Sequence, residues 1–394
     1  MHRMLFVPFF LIVGFQSYAA IEPITESQLV EYADLAIKVI EDIPGKAVVP
    51  FYIDRSPSLP LLPSIQDPSV MAQDHENLIP IIEKYNPVVY LHPDEKYFPI
   101  TAEEYCTGPQ TAIALQTDDS ILIPQGDVTM DQVYSFYESY SQKSEAFNLY
   151  FDITQGVTFG SDPSKNRDEN NNLTTPCSVL TWETDDALYV QYLYLYGFNG
   201  PFSIGILHGD DFPVQDAHEA DLEHVTLMID KGTRELKKIY YSSHDRYEGM
   251  WLNADNPDIA YEGTHPVVFA ARSSHGNYPR EGTYIRIYGL GNDITGSKTR
   301  WTPILRRIYV NTDERFDPSI MGWCYHAGNL GKRGVSSPFA QAWFQNSLNE
   351  IGREYDTVPF CINPKSPNFV DEVIDYEEYK ACILSKIPLA KIPE

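Results

Sequence analysis

Two long strand-forming runs, ALYVQYLYLYGF at 187–198 and HVTLMID at 224–230, constrain this chain most. Shorter runs of the same character surround them: PVVYLH (87–92), FNLYFDI (147–153), LKKIYYSSH (236–244), HPVVFAARS (265–273), TYIRIYGL (283–290) and RRIYV (306–310). Aromatic and β-branched side chains fill a pleated, half-buried surface well, and 27 tyrosines supply much of that material. Turn signals such as Lys231-Gly232 and Gly276-Asn277 separate the runs, a spacing that predicts an antiparallel sandwich or barrel. We therefore expect a mainly β, jelly-roll-like antiparallel sandwich with an N-terminal helical arm and a C-terminal helix.

The 394 residues predict one large domain with appendages, or two domains. A basic start (His2, Arg3), an apolar stretch from Met4 to Phe15 and small residues at Ser17, Ala19 and Ala20 read as a signal peptide over 1–20. Twelve apolar residues fall short of the roughly 20 that span a bilayer. No later run is long and apolar enough either, so the mature chain is expected to be exported without a membrane span. Residues 21–84 form an arm, with helical periodicity over 24–40, prolines at 50, 57, 60, 63 and 68, and a short helix over 72–84. The sandwich is expected over 85–345 and a helical extension over 346–394, while 161–176 is polar and breaker-rich.

In an oxidising compartment Cys106, Cys177, Cys324, Cys361 and Cys382 allow up to two disulfides, with pairings that spacing leaves open. Asn172-Leu173-Thr174 is a glycosylation sequon. The net charge of −26 repels phosphate backbones, which argues against nucleic acid as a partner and favours cations, the alternative being an acidic surface that keeps an exported protein soluble.

The stretch HEADLEH at 218–224 concentrates titratable chemistry at the mouth of a strand. Alternation puts Asp221 and Glu223 on the face that Val225, Leu227 and Ile229 turn to the core. An ionised carboxylate at a core rim costs several kcal/mol unless a cation or basic side chains compensate it. His244 and His275 close strands of similar character, so His218, Asp221, Glu223, His244 and His275 are the candidate metal ligands. Asp210, Asp211 and Asp216 in the preceding loop are further oxygen donors. Oxygen-dominated sites suit Ca²⁺, Mg²⁺ or Mn²⁺ better than Zn²⁺. The competing reading is an ion-pair network with Arg246, Arg272 or Arg286.

Other templates fail. A zincin needs a second histidine at 222, which is Leu222. No Gly-x-Ser-x-Gly elbow exists, and AGNLGKRG at 327–334 lacks the leading glycine and the Ser/Thr of a phosphate loop.

The order of YNPVVYLHPDEKYFP (85–99), YGFNGP (196–201), HEADLEHVTLMI (218–229), IYYSSH (239–244), PVVFAARSSHGNYP (266–279) and GLGNDITGSKTRW (289–301) resembles the vacuolar-protein-sorting-62 family, known also from plant domains of unknown function. Two departures stand out. The family's His-x-Gly-Asp-Trp-Glu-His has Ala220 and Leu222 here, and its His-Gly-His-Ala-Ser-Tyr-Pro has Ser273 for the first histidine. Residues 218–223 are also similar to the heptapeptide of necrosis-inducing plant-pathogen toxins. That likeness implies a β-sandwich holding a divalent cation in an acidic pocket and binding membrane sphingolipids.

The leading expectation is an exported β-sandwich whose divalent-cation site recognises a glycan, lipid headgroup or host surface. The alternatives are a metal-dependent hydrolase of an ester or phosphoester, and a structural envelope protein without a metal.

Overall fold

A computed structural model of the chain describes residues 75–115, 119–133, 149–153, 166–201, 217–244, 249–286, 291–310, 322–325, 329–332 and 360–361. The leader, the helix over 24–40, the proline-rich stretch and the tail helix over 368–387 lie outside the described residues, as do Asp210, Asp211, Asp216, Arg246 and Cys382. Among the described residues no helix is long and apolar enough to cross a membrane.

The two long runs pair with each other. β6 (Ala187–Asn199) and β7 (His218–Asp230) form an antiparallel ladder from Ala187↔Asp230 to Asn199↔His218. They lie at the centre of a six-stranded sheet completed by β5 (Pro176–Glu183) and β16 (Ile304–Val310) on one side, and by β8 (Leu236–Tyr241) and β9 (Met250–Asn253) on the other. β7 starts six residues earlier than its apolar run, because the polar HEADLE segment continues the ladder with β6. β5 was not foreseen: its PCSVLTWE mixes small polar residues with apolar ones and hides the alternation.

One face of this sheet packs against a second sheet, in which β1 (Val88–Leu91) lies between β11 (His265–Ala270) and β15 (Thr299–Trp301). Val190, Tyr192, Val225, Leu227, Ile239 and Tyr241 meet Val89, Leu91, Val268 and Trp301 there, with α1 (His75–Lys84) adding Leu78, Ile81 and Ile82. Polar tips in this core find backbone partners: the Tyr192 hydroxyl donates to the Ile82 carbonyl at 2.7 Å and the Trp301 indole to that of Thr175 at 2.8 Å.

The opposite face is also covered. β2 (Thr111–Leu115), β3 (Ile121–Ile123) and β4 (Leu149–Ile153) form a small sheet, and with α2 (Ala102–Thr107) they bury Leu180, Leu193, Leu195 and Leu222 against Tyr105, Ile113 and Phe151. The mainly β, sandwich-type expectation thus stands, with a third layer that explains why β6 is apolar on both faces. Two pairings, β1–β11 and β5–β16, are parallel. Cys106 and Cys177 are buried free thiols, one in each core.

Candidate functional site

Along β7 the expected alternation holds: Val225, Leu227 and Ile229 are fully buried in the first core, and Asp221 and Glu223 continue their face to its rim, 6% and 5% exposed. Ahead of them the alternation breaks. Ala220 has φ 58°, in the left-handed region that an L side chain adopts only at a cost of about 1–2 kcal/mol. It stands where the family motif has glycine. The reversal sends Glu219 to the other layer, where its carboxylate accepts backbone N–H groups of Ile153 and Lys332.

His218 is not brought to the cluster either. Its Nδ1 lies 3.2 Å from the Glu219 carbonyl oxygen, and it bonds to none of the other four expected site residues. The structure brings together Asp221, Glu223, His244 and His275 and leaves His218 outside.

The turn after β11 delivers the histidine. Ser273 and His275 both have left-handed backbones, φ 68° and 54°, and β12 (Asn277–Tyr278) then folds back onto β11. Strained backbone of this kind persists only where its surroundings over-determine it. His275 is fully buried, its ring stacked 3.7 Å from that of Tyr196, and both ring nitrogens are engaged. Nδ1 lies 2.8 Å from Asp221 Oδ2, while Nε2 lies 3.1 Å from the Tyr97 carbonyl oxygen and 3.6 Å from Glu95 Oε1.

Burial disfavours the imidazolium, but the Glu95 and Asp221 carboxylates outweigh it and push the pKa of His275 up to about 10. Glu95 responds in kind. Burial raises it, yet the charge of His275 and backbone N–H groups of Tyr97 and Ser273 hold it below the ordinary carboxylate range. His275 is therefore a cation that neutralises and orients Asp221. It has no nitrogen left for a metal.

A second acid–imidazole unit stands beside the first. β14 (Asp293–Thr295) presents Asp293, whose Oδ2 lies 2.7 Å from His244 Nε2 and 3.8 Å from Arg286 Nη1. The hydroxyls of Ser274 and Tyr278 donate to the same carboxylate at 2.6 and 2.5 Å. Although burial opposes its charge, His244, Arg286 and these bonds hold Asp293 far below the usual range. Gly276 permits the approach, since a Cβ there would sit 3.2 Å from both Asp293 Oδ2 and Ser243 Oγ.

His244 has φ 53° and a side chain 28% exposed. Burial and Arg286 disfavour its charge, but Asp293 and Glu223 outweigh them and raise its pKa.

Among the acids of this cluster Glu223 is the least compensated, since Asp221 opposes its charge and His244 and His224 offset that only in part. Burial, then the charge of Asp221, raises Glu223 to about 7, although the Ser242 hydroxyl donates to its Oε2. Because the folded state holds this proton more tightly than the unfolded chain, the resulting stability is complete below the ordinary carboxylate pKa and lost as pH rises through about 7. We predict that Glu223→Gln in chelator-treated buffer raises stability at pH 8 by about 1–3 kcal/mol and changes it little at pH 4. Equal shifts in urea denaturation at the two pH values would refute the assignment.

Glu95 and Asp293 escaped sequence reasoning, although HPDEKYFP contains the first and GLGNDITG the second. Each is an acid among turn residues near a strand end, a weak signal until the partner 178 or 49 residues away is known. Of the arginines expected to compensate the acids, Arg286 does so for Asp293.

Residues 181–302 match the family model described as Vacuolar protein sorting-associated protein 62. Over 333 residues the chain is 22% identical to the vacuolar protein sorting-associated protein TDA6 of Saccharomyces cerevisiae (strain ATCC 204508 / S288c), covering 72% of this chain and 68% of that one. Solved structures similar to it include Necrosis and Ethylene inducing Protein 2 from the causal agent of cocoa's Witches Broom disease, at 10% identity and a TM-score of 0.31, covering 69% of this chain and 90% of that one. Another is NLPPya in complex with mannosamine, at 10% identity and a TM-score of 0.33, covering 69% and 88%. The resemblance to the vacuolar protein sorting-associated protein 62 family thus holds over residues 181–302, the stretch that supplies Asp221, Glu223, His244, His275 and Asp293 to this site.

Proposed function

We propose that Asp221 and Glu223 hold one divalent cation, and that the ion recognises the oxygens of a glycan or lipid headgroup. The observation that carries this reading is the pair itself. Both acids are almost fully buried, the charge of Asp221 raises the pKa of Glu223 beside it, and Asp221 Oδ1 and Glu223 Oε1 have no hydrogen-bond partner among the described residues. His275 orients Asp221 from behind as a ligand's hydrogen-bonded support does, and Ser242 does the same for Glu223.

Among the described residues no three His, Cys, Asp or Glu side chains form a ready metal cage. Two carboxylates therefore leave most of the ion's positions to water and ligand, which suits a hard ion such as Ca²⁺, Mg²⁺ or Mn²⁺ and a hydroxyl-rich or phosphate-bearing partner. His244, the exposed member of the cluster, stands at the rim to meet that partner. The leader over 1–20 directs this recognition to the outside of the cell.

The full chain, dialysed against chelator, is expected to melt at higher temperature when Ca²⁺, Mg²⁺ or Mn²⁺ is restored. A ligand at a hundredfold its Kd stabilises the folded state by about 2.7 kcal/mol. Melting that ignores every ion, together with metal-free protein by elemental analysis, would remove the reading.

A further inference from the structure

Two polar atoms in the cluster have no partner among the described residues although their side chains are fully buried: Asn277 Oδ1 and the hydroxyl of Tyr196. The orientation of the Asn277 amide is decided by its other end. Nδ2 donates to the His224 carbonyl and to Ser242 Oγ, both at 3.3 Å. Turning the amide over would set its oxygen against the His224 carbonyl, two acceptors face to face. Oδ1 is therefore left as the orphan, at a cost of about 1–3 kcal/mol unless something fills it.

Ser242 Oγ, on which Nδ2 rests, is the group that donates to Glu223. Asn277 is thus one hydroxyl away from the proposed ligand, held there also by its own N–H donating to the Ser242 carbonyl at 2.7 Å. Tyr196 comes from the opposite side. It is the cross-strand partner of Asp221 and the stacking partner of His275, and Glu95, Asp221 and Glu223 all act on its phenol. One orphan accepts a hydrogen bond or a cation, and the other donates. A hydrated ion needs both kinds of neighbour, lone pairs facing its charge and its bound water and O–H groups facing the oxygens around it.

Resting on the cation reading above, we propose that Asn277 Oδ1 and the Tyr196 hydroxyl are further binding groups of this site, which hold the inner water shell of a hard divalent cation between Asp221 and Glu223. The two carboxylates then meet the ion itself, and the two neutral groups meet the water bound to it. With no group of three His, Cys, Asp or Glu donors among the described residues, such an oxygen and water shell suits Ca²⁺ or Mg²⁺ better than zinc.

Tyr196→Phe removes only an unpartnered hydroxyl, and Asn277→Ser removes the orphan oxygen while leaving a donor toward its neighbours. Calorimetric titration of Ca²⁺ and Mg²⁺ into the full chain is expected to show binding about fivefold weaker in Tyr196→Phe and about tenfold weaker in Asn277→Ser. The ion-free melting temperature of Tyr196→Phe should be unchanged or higher. If the wild type binds the ion and both variants match it, the two groups are structural and the inference falls while the cation reading survives. If the wild type binds neither ion, both fall together.

Discussion

Replacing His275 with alanine is expected to cost about 3–5 kcal/mol at pH 6, enough to unfold a marginally stable domain. The imidazolium is the shared counter-charge of two buried carboxylates, with Asp221 at 2.8 Å and Glu95 at 3.6 Å. Removing it leaves both in a place where neither is hydrated, and deletes the ring stacked on Tyr196. The pH dependence separates charge from packing. A histidine whose pKa is raised in the fold contributes stability that is complete below the unfolded value, near 6.5, and is lost as pH rises through the folded value, about 10. The wild-type advantage over His275→Ala should therefore be largest near pH 6 and shrink toward pH 10. Urea titrations that give the same difference at both pH values would mean that His275 acts by volume alone.

Asp293→Asn is expected to cost about 2–4 kcal/mol. Ser274 donates to Oδ1, Tyr278 and His244 donate to Oδ2, and Arg286 stands 3.8 Å away, so the carboxylate faces donors on every side. An amide offers one oxygen where two are needed and turns an NH₂ toward a donor. The effect on His244 is the sharper readout. Its pKa is raised because Asp293 and Glu223 outweigh burial and Arg286. Without the Asp293 charge the balance tips, and the imidazole of the variant should give up its proton at lower pH than in the wild type. An NMR titration of His244 that is unchanged in Asp293→Asn would show that the two groups are not coupled.

How much was legible follows from the range of each interaction. The strands β1, β4, β6, β8, β11 and β16 are visible as apolar and aromatic runs because a strand's signal is local. The same alternation placed Asp221 and Glu223 at the rim of the core beside Val225, Leu227 and Ile229. It failed at the start of the strand, since nothing in HEADLEH announces that Ala220 adopts φ 58° and that Glu219 faces the other layer. Glu95 was hidden for a different reason. Its function arises only when the parallel pairing of β1 with β11 brings the end of one strand beside the turn after the other.

The amino-acid sequence by itself determined that two acids would sit where water is scarce and that positive charge would have to meet them, because side-chain period and desolvation cost are properties of the strand alone. Only the tertiary structure decided which positive charge that is. The fold brings His275 from 54 residues away to bond Asp221 and sets Arg286 and His244 on Asp293, which leaves Glu223 the least compensated acid of this cluster. A choice between an imidazolium and an ion turns on distances of a few ångströms between segments far apart in the chain, and such distances exist only once the chain has folded.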